Sequence, residues 1–155
     1  MLTAKEAAAK IRQELKAAGY TSKQVSVKMG AGYSSINVRV KAFPINMDEI
    51  KAIASQQEHV RRDHYSGEIL CGGNLFVFVE VDWETKKAAA AEWEPRLQAI
   101  LDTLEEDRGV LTEDGKWWVM KEAYGRVRMR RNEEDATYQR YVDAFSAAVD
   151  MALVG

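Results

Sequence analysis

Arg126, Arg128 and Arg130 recur at a spacing of two, with Arg131 next and Trp117 and Trp118 a short stretch before them. In a strand that spacing aims the three guanidiniums to one side, where neighbouring like charges repel, so stability alone gives no reason to crowd them. Guanidinium groups beside indoles suit single-stranded nucleic acid or an acidic protein partner. The opposing reading is a solvated face, because Glu113, Asp114, Glu122, Glu133 and Glu134 are close enough in sequence to pair with it. A second candidate set, Arg61, Arg62, His64 and Tyr65, lies in a segment without apolar period that reads as an exposed connection.

His59, His64 and Cys71 are residue types that suit zinc. Their spacing matches no established finger, there is no CxxC, and a fourth ligand would have to be Asp63 or Glu68, so neither metal nor cofactor is assigned. Asp63 beside His64 would orient a general base, and Cys71 would then be a nucleophile. At a tight turn Cys71 is more simply a small apolar residue, and no catalytic residue is assigned. Gly30-Ala31-Gly32 has the glycine content of a phosphate loop, but a strand follows where such a loop needs a helix N-terminus. Ser34, Ser35 and Asn37 therefore read as turn and polar-face residues.

The elements that must hold these groups follow from periodicity. Val25, Val27 and Met29, then Ile36, Val38 and Val40, alternate with polar residues around the glycine loop and predict a β-hairpin closed by Phe43-Pro44. Thr3 with Glu6, followed by Ala7, Ala8, Ile11 and Leu15, predicts a capped helix that ends at Gly19. Asn46 predicts the N-cap of a second helix carrying Met47, Ile50, Ile53 and Ala54. Glu68 to Cys71 and Leu75 to Trp83, around Gly72-Gly73-Asn74, predict a second hairpin whose apolar arm LFVFVEV is a central strand. Pro95 predicts a new helix start, with Leu97, Ile100, Leu101 and Leu104 on its apolar face. Strands over 116–121 and 125–130 come next. A final helix is expected to open at Glu133, Glu134 and Asp135 and to carry Tyr138, Tyr141, Val142, Phe145, Val149 and Leu153. The expected fold is α+β: antiparallel sheet with helices on one face, in two helix-hairpin-helix halves, 1–83 and 84–155, the second packed against the first.

With 155 residues, 46% hydrophobic and 30% charged, the chain can bury one core or two small coupled ones. No apolar run approaches the roughly 20 residues of a membrane helix, and Met1 leads into a charged helix, so a cytoplasmic protein without a membrane partner is expected. The single Cys71 excludes an internal disulfide. A net charge of −2 gives the whole chain no pull toward nucleic acid; such binding needs a local patch.

The segment AAKIRQELKAAGY followed by VSVKMGAGYSSINVRV resembles a small α+β domain of the large polyvalent-protein-associated group, carried by phage and conjugative-element proteins. The resemblance covers about Thr3 to Trp83 and rests on Ile11-Arg12-Gln13-Glu14-Leu15-Lys16, Ser34-Ser35-Ile36-Asn37-Val38 and Phe76-Val77-Phe78-Val79. It brings no catalytic residues. It implies a mobile-element protein, in a class that protects incoming DNA or blocks host defence. The expected function is a non-enzymatic binding protein that inhibits a host defence complex, anti-CRISPR-like or anti-restriction-like, in the host cytoplasm. Its expected partner is a host protein or ribonucleoprotein, with nucleic acid a further candidate. Two alternatives stay open: a nucleic-acid-binding accessory protein, and an enzyme using Asp63, His64 and Cys71.

Overall fold

Thr3 and Glu6 close the reciprocal cap that their spacing predicts. The Glu6 amide donates to Thr3 Oγ1 at 3.2 Å and the Thr3 amide donates to Glu6 Oε2 at 2.8 Å. From this cap runs α1 (Ala4–Ala17), in a computed structural model that describes residues 2–134 and 139–153. Its stripe of Ala4, Ala7, Ala8, Ile11 and Leu15 is buried. The fold is α+β, and the chain divides into two units, one up to Thr85 and one from Lys86 onward.

In the first unit β1 (Val25–Met29) and β2 (Ser35–Val40) form the expected antiparallel hairpin, with Val25 opposite Val40 and Met29 opposite Ile36. The period of two buries Val25, Val27, Ile36, Val38 and Val40 on one face, where α1 packs on both strands. Fully burying a side chain such as Ile11 or Ile36 contributes about 1.5–3 kcal/mol. Then α2 (Met47–Ser55) starts at Asn46, whose Oδ1 accepts the Glu49 amide at 3.2 Å, and packs against α1 and β3 (Phe76–Val81).

Here the structure departs from the expected second hairpin. β3 pairs parallel to β2, Ser35 opposite Phe76 and Val40 opposite Val81, and the sheet order β1-β2-β3 makes β2 the central strand and β3 an edge. The near-continuous apolar run of β3 does not come from burial on both faces. Phe76 and Phe78 stack on the outer face with ring centroids 6.3 Å apart, and Phe78 is more than half exposed. The antiparallel partner of 69–75 is instead the segment 59–62, through bridges between His59 and Leu75 and between Arg62 and Ile69.

Both edges of this sheet carry a side-chain partner. Because Gly30 and Lys41 bond across the β1–β2 hairpin, the Val27 carbonyl points away from β2, and it accepts from Arg12 Nη2 at 2.6 Å. On β3 the Val77 amide donates to Glu58 Oε2 at 3.0 Å. Paired edge groups no longer invite a foreign strand at those positions.

α3 (Trp83–Leu101) is one continuous helix, so Pro95 lies inside it and opens nothing. Pro95 removes the donor for the Ala91 carbonyl, but both residues are exposed, so that carbonyl is not shut away from solvent. In the second unit four strands form an antiparallel meander in chain order: β4 (Gly109–Leu111), β5 (Trp117–Lys121), β6 (Arg126–Arg131) and β7 (Arg140–Asp143). α4 (Ala144–Ala152) follows directly. Tyr141 and Val142, expected on the last helix, are therefore strand residues. Their spacing fits a helix by coincidence, while the ladder with β6 takes them, Val142 opposite Val127 and Tyr141 opposite Arg128, and Asp143 supplies the real N-cap by accepting the Ser146 amide at 2.7 Å. The expected helix residues Asp135 and Tyr138 lie outside the described residues. The core of this unit is Leu97 and Leu101 of α3 and Ala147, Ala148 and Met151 of α4, packed on Trp117, Val119, Val127 and Met129. Both helices thus cover the same face of the sheet.

Candidate functional site

Alternation along β6 buries Val127 and Met129 against the helices and sends Arg126, Arg128 and Arg130 to the opposite, outer face. Register fills in the rest of that face. Trp118 is opposite Arg130 and Leu111, Met120 is opposite Arg128, and Arg128 is opposite Tyr141. Arg128 stands 4.7 Å from the Tyr141 ring centroid and Arg130 stands 5.4 Å from that of Trp118. Tyr141 and Leu111 are about half exposed, at 55% and 47%.

Arg128 and Arg130 are also held by a second contact, and Arg126 by one. Arg128 Nη2 meets Glu122 Oε1 at 2.6 Å, with both side chains largely covered. Arg130 Nη1 donates to the carbonyls of Arg131, Asn132 and Glu134 at 3.3, 3.4 and 3.1 Å, which ties it to the turn after β6. Arg126 Nη2 donates to the Tyr141 carbonyl at 3.3 Å. Arg128 and Arg130 are therefore held in place, and little of their conformational entropy remains to be lost when a partner meets them, while Arg126 is exposed.

The Trp118 indole stands over Gly109 of β4. A Cβ built at Gly109 would stand 2.4 Å from Trp118 Cζ2 and 2.7 Å from Cε2, so only glycine leaves room for the indole there. Beyond the end of the β5–β6 hairpin, Tyr124 is fully exposed and has φ 60° and ψ 33°, a left-handed conformation that a bulky residue rarely adopts.

Not every residue singled out in the sequence joins this face. Trp117, 1% exposed, belongs to the core, with Arg131 and Arg140 each 5.6 Å from its ring centroid on the helix-covered side. Arg131 also faces Glu133 at 3.8 Å. Conversely, Tyr141, Tyr124, Met120 and Leu111 join the site unannounced. For Tyr141 the strand signal was only the β propensity of the Tyr141-Val142 pair, and for Tyr124 its place between two predicted strands.

The set from the first unit, Arg61, Arg62, His64 and Tyr65, sits on an ordered loop. Arg61 Nη1 donates to the Gly72 carbonyl at 3.4 Å, and Arg62 Nη1 donates to that of Gly67 at 3.0 Å. Asp63 Oδ1 accepts the amides of Tyr65 and Ser66 and the Ser66 hydroxyl at 2.8–3.1 Å. Those bonds, the Ser66 amide first, hold the Asp63 carboxyl below the usual carboxylate range. The His64 ring meets Tyr65 edge-on, with centroids 5.3 Å apart, and Tyr65 is 95% exposed. Cys71 is exposed. Among the described residues no three of His, Cys, Asp and Glu are grouped so as to hold a metal ion, and no helix is long and apolar enough to cross a membrane.

Compared with known proteins, the chain matches no family model, no curated protein and no solved structure.

Proposed function

We propose that this chain is a non-enzymatic binding protein whose working surface is the outer face of the four-stranded sheet. In that reading it is a mobile-element protein that inhibits a host defence complex by occupying a host protein or ribonucleoprotein. One observation carries it: Arg126, Arg128 and Arg130 share a face with Trp118, Met120 and Tyr141, the helices lie on the other side, and each arginine is held by contacts of its own. Arg, Trp, Tyr and Met are the residues enriched at the centres of macromolecular interfaces. The mobile-element part of the proposal rests on the resemblance of the first half.

The enzyme alternative needs Asp63 to orient His64. Asp63 Oδ1 is instead occupied by the loop's own amides and hydroxyl, and the His64 ring contacts Tyr65, which favours binding over catalysis.

The test is phage plating on cells that carry a CRISPR or a restriction system, with and without the chain expressed. Wild type should restore plating in at least one system, and Arg126→Glu combined with Tyr141→Ala should abolish the rescue in soluble, folded protein. No rescue in either system, or full rescue by the double variant, would overturn the reading.

A further inference from the structure

We infer that the outer face of the four-stranded sheet takes single-stranded nucleic acid, with Tyr141 and Tyr124 as stacking surfaces and Arg126 as a phosphate contact. This rests on the reading of that face as the working surface and names the chemistry of what it holds.

Tyr141 and Trp118 share the outer face with three guanidiniums. Tyr141 has Arg128 against it at 4.7 Å, Trp118 has Arg130 against it at 5.4 Å, and Tyr124 stands in the turn that joins β5 to β6, two residues before Arg126. A ring with an arginine plane on it offers a base a surface that no sequence-specific hydrogen bond has to complete. Tyr141 is 55% exposed and Tyr124 fully so, and each of these rings takes its own base.

Tyr124 supplies an independent argument. Its left-handed backbone is a position where glycine or asparagine costs less, and its side chain, fully exposed, gains nothing from packing in return. A strained residue without packing is explained when its ring meets something outside the chain.

Charge decides between single and double strands. In residues 86–154 carboxylates outnumber Lys and Arg, and Glu122 already neutralises Arg128, so the unit has no broad cationic field for a duplex backbone. What remains is stacking on exposed rings, which only unpaired bases offer, with a local phosphate contact at Arg126, opposite Asp143.

The experiment measures fluorescence anisotropy of the full chain with labelled oligothymidine and oligouridine of about 16 nucleotides, the upper site size of a small single-strand fold. A duplex of equal length and polyglutamate serve as competing probes. The expected result is binding of a single strand at low salt that is tighter than binding of the duplex. Tyr141→Ala and Tyr124→Ala should each weaken it by about fivefold to a hundredfold, the weight of one stacked base. Arg126→Ala should lower the slope of log K against log salt by about 0.7. Both tyrosines are exposed, so these variants keep the fold, and circular dichroism verifies it. Absence of single-strand binding, equal binding of duplex, preference for polyglutamate, or indifference to both tyrosine variants would overturn the inference. If the plating assay still responds to Arg126→Glu with Tyr141→Ala while no oligonucleotide binds, the working face stands and its partner is a protein.

Discussion

The indole of Trp118 fills the space that a side chain at Gly109 would need, with 2.4 Å between Cζ2 and the position of a Cβ. The contact, not the backbone, is what requires glycine at this position. Gly109→Ala should therefore push Trp118 off β4 and destabilise the second unit by about 1–3 kcal/mol, as overpacking does. Urea denaturation followed by tryptophan fluorescence reads the loss, and an unchanged midpoint would mean that the indole has another place to lie.

Asp143 joins β7 to α4, and its folded carboxyl is held below the ordinary range by the Ser146 amide and then by the Ser146 hydroxyl. A depressed folded pKa means that the cap is fully present above the unfolded pKa of about 3.9 and is lost as pH falls through the lower folded value. Asp143→Ala should cost about 1 kcal/mol at neutral pH. Denaturation midpoints of the two proteins should converge on acidification, and Asp143→Asn should keep most of the cap without the pH dependence.

Local signals were legible wherever one short-range interaction decides the outcome. Thr3 with Glu6, Asn46 before α2 and the alternation from Val25 to Val40 each gave the element that forms. Long-range pairing was not legible. The β3 segment reads as a central strand because nothing local shows that Phe76 and Phe78 face outward, and its partner β2 lies beyond an entire helix. Tyr141 and Val142 satisfy helical spacing while the ladder with β6 claims them, a tertiary choice over a local one. Of the site, the arginine face was visible from spacing alone. The rings that complete it were visible only in part, since Trp117 and Trp118 point to opposite faces and Tyr141 was on the wrong element.

Inside α3, Pro95 leaves the Ala91 carbonyl without its helical donor on an exposed surface. Pro95→Ala restores that hydrogen bond and removes the ring from the helix interior. Part of the gain is offset because the unfolded chain becomes more flexible. Stability should rise by about 1–3 kcal/mol. Thermal denaturation monitored by helical circular dichroism would show it, and a lowered midpoint would mean that Pro95 shapes the helix for packing.

Tyr20 donates to Glu49 Oε2 at 2.7 Å, linking the end of α1 to α2. Burial, and then the Glu49 carboxylate, push its phenol up to about 12 from 10.0. A raised folded pKa means that this contribution is complete below pH about 10 and disappears as pH rises through the folded value. Tyr20→Phe should cost about 1 kcal/mol at neutral pH, the net worth of one hydrogen bond. The gap between the two proteins should close in strong alkali, and a gap that persists there would assign the difference to packing.

Tyr124 sets stability against binding at one residue. With φ 60° it occupies a left-handed backbone that costs an ordinary L-residue about 1–2 kcal/mol, and asparagine tolerates it better because its short side chain bonds locally. Its own side chain is fully exposed, so nothing in the fold is lost when the ring is removed. Tyr124→Asn should therefore raise stability, by up to about 1 kcal/mol, while it weakens single-strand binding as Tyr124→Ala does. The two changes run in opposite directions, and no general damage to the protein mimics that. Denaturation and oligonucleotide anisotropy on the same preparation make the comparison. A variant that is more stable and binds as well as wild type would show that the ring serves no partner, and one that is less stable would show that Tyr124 is not strained.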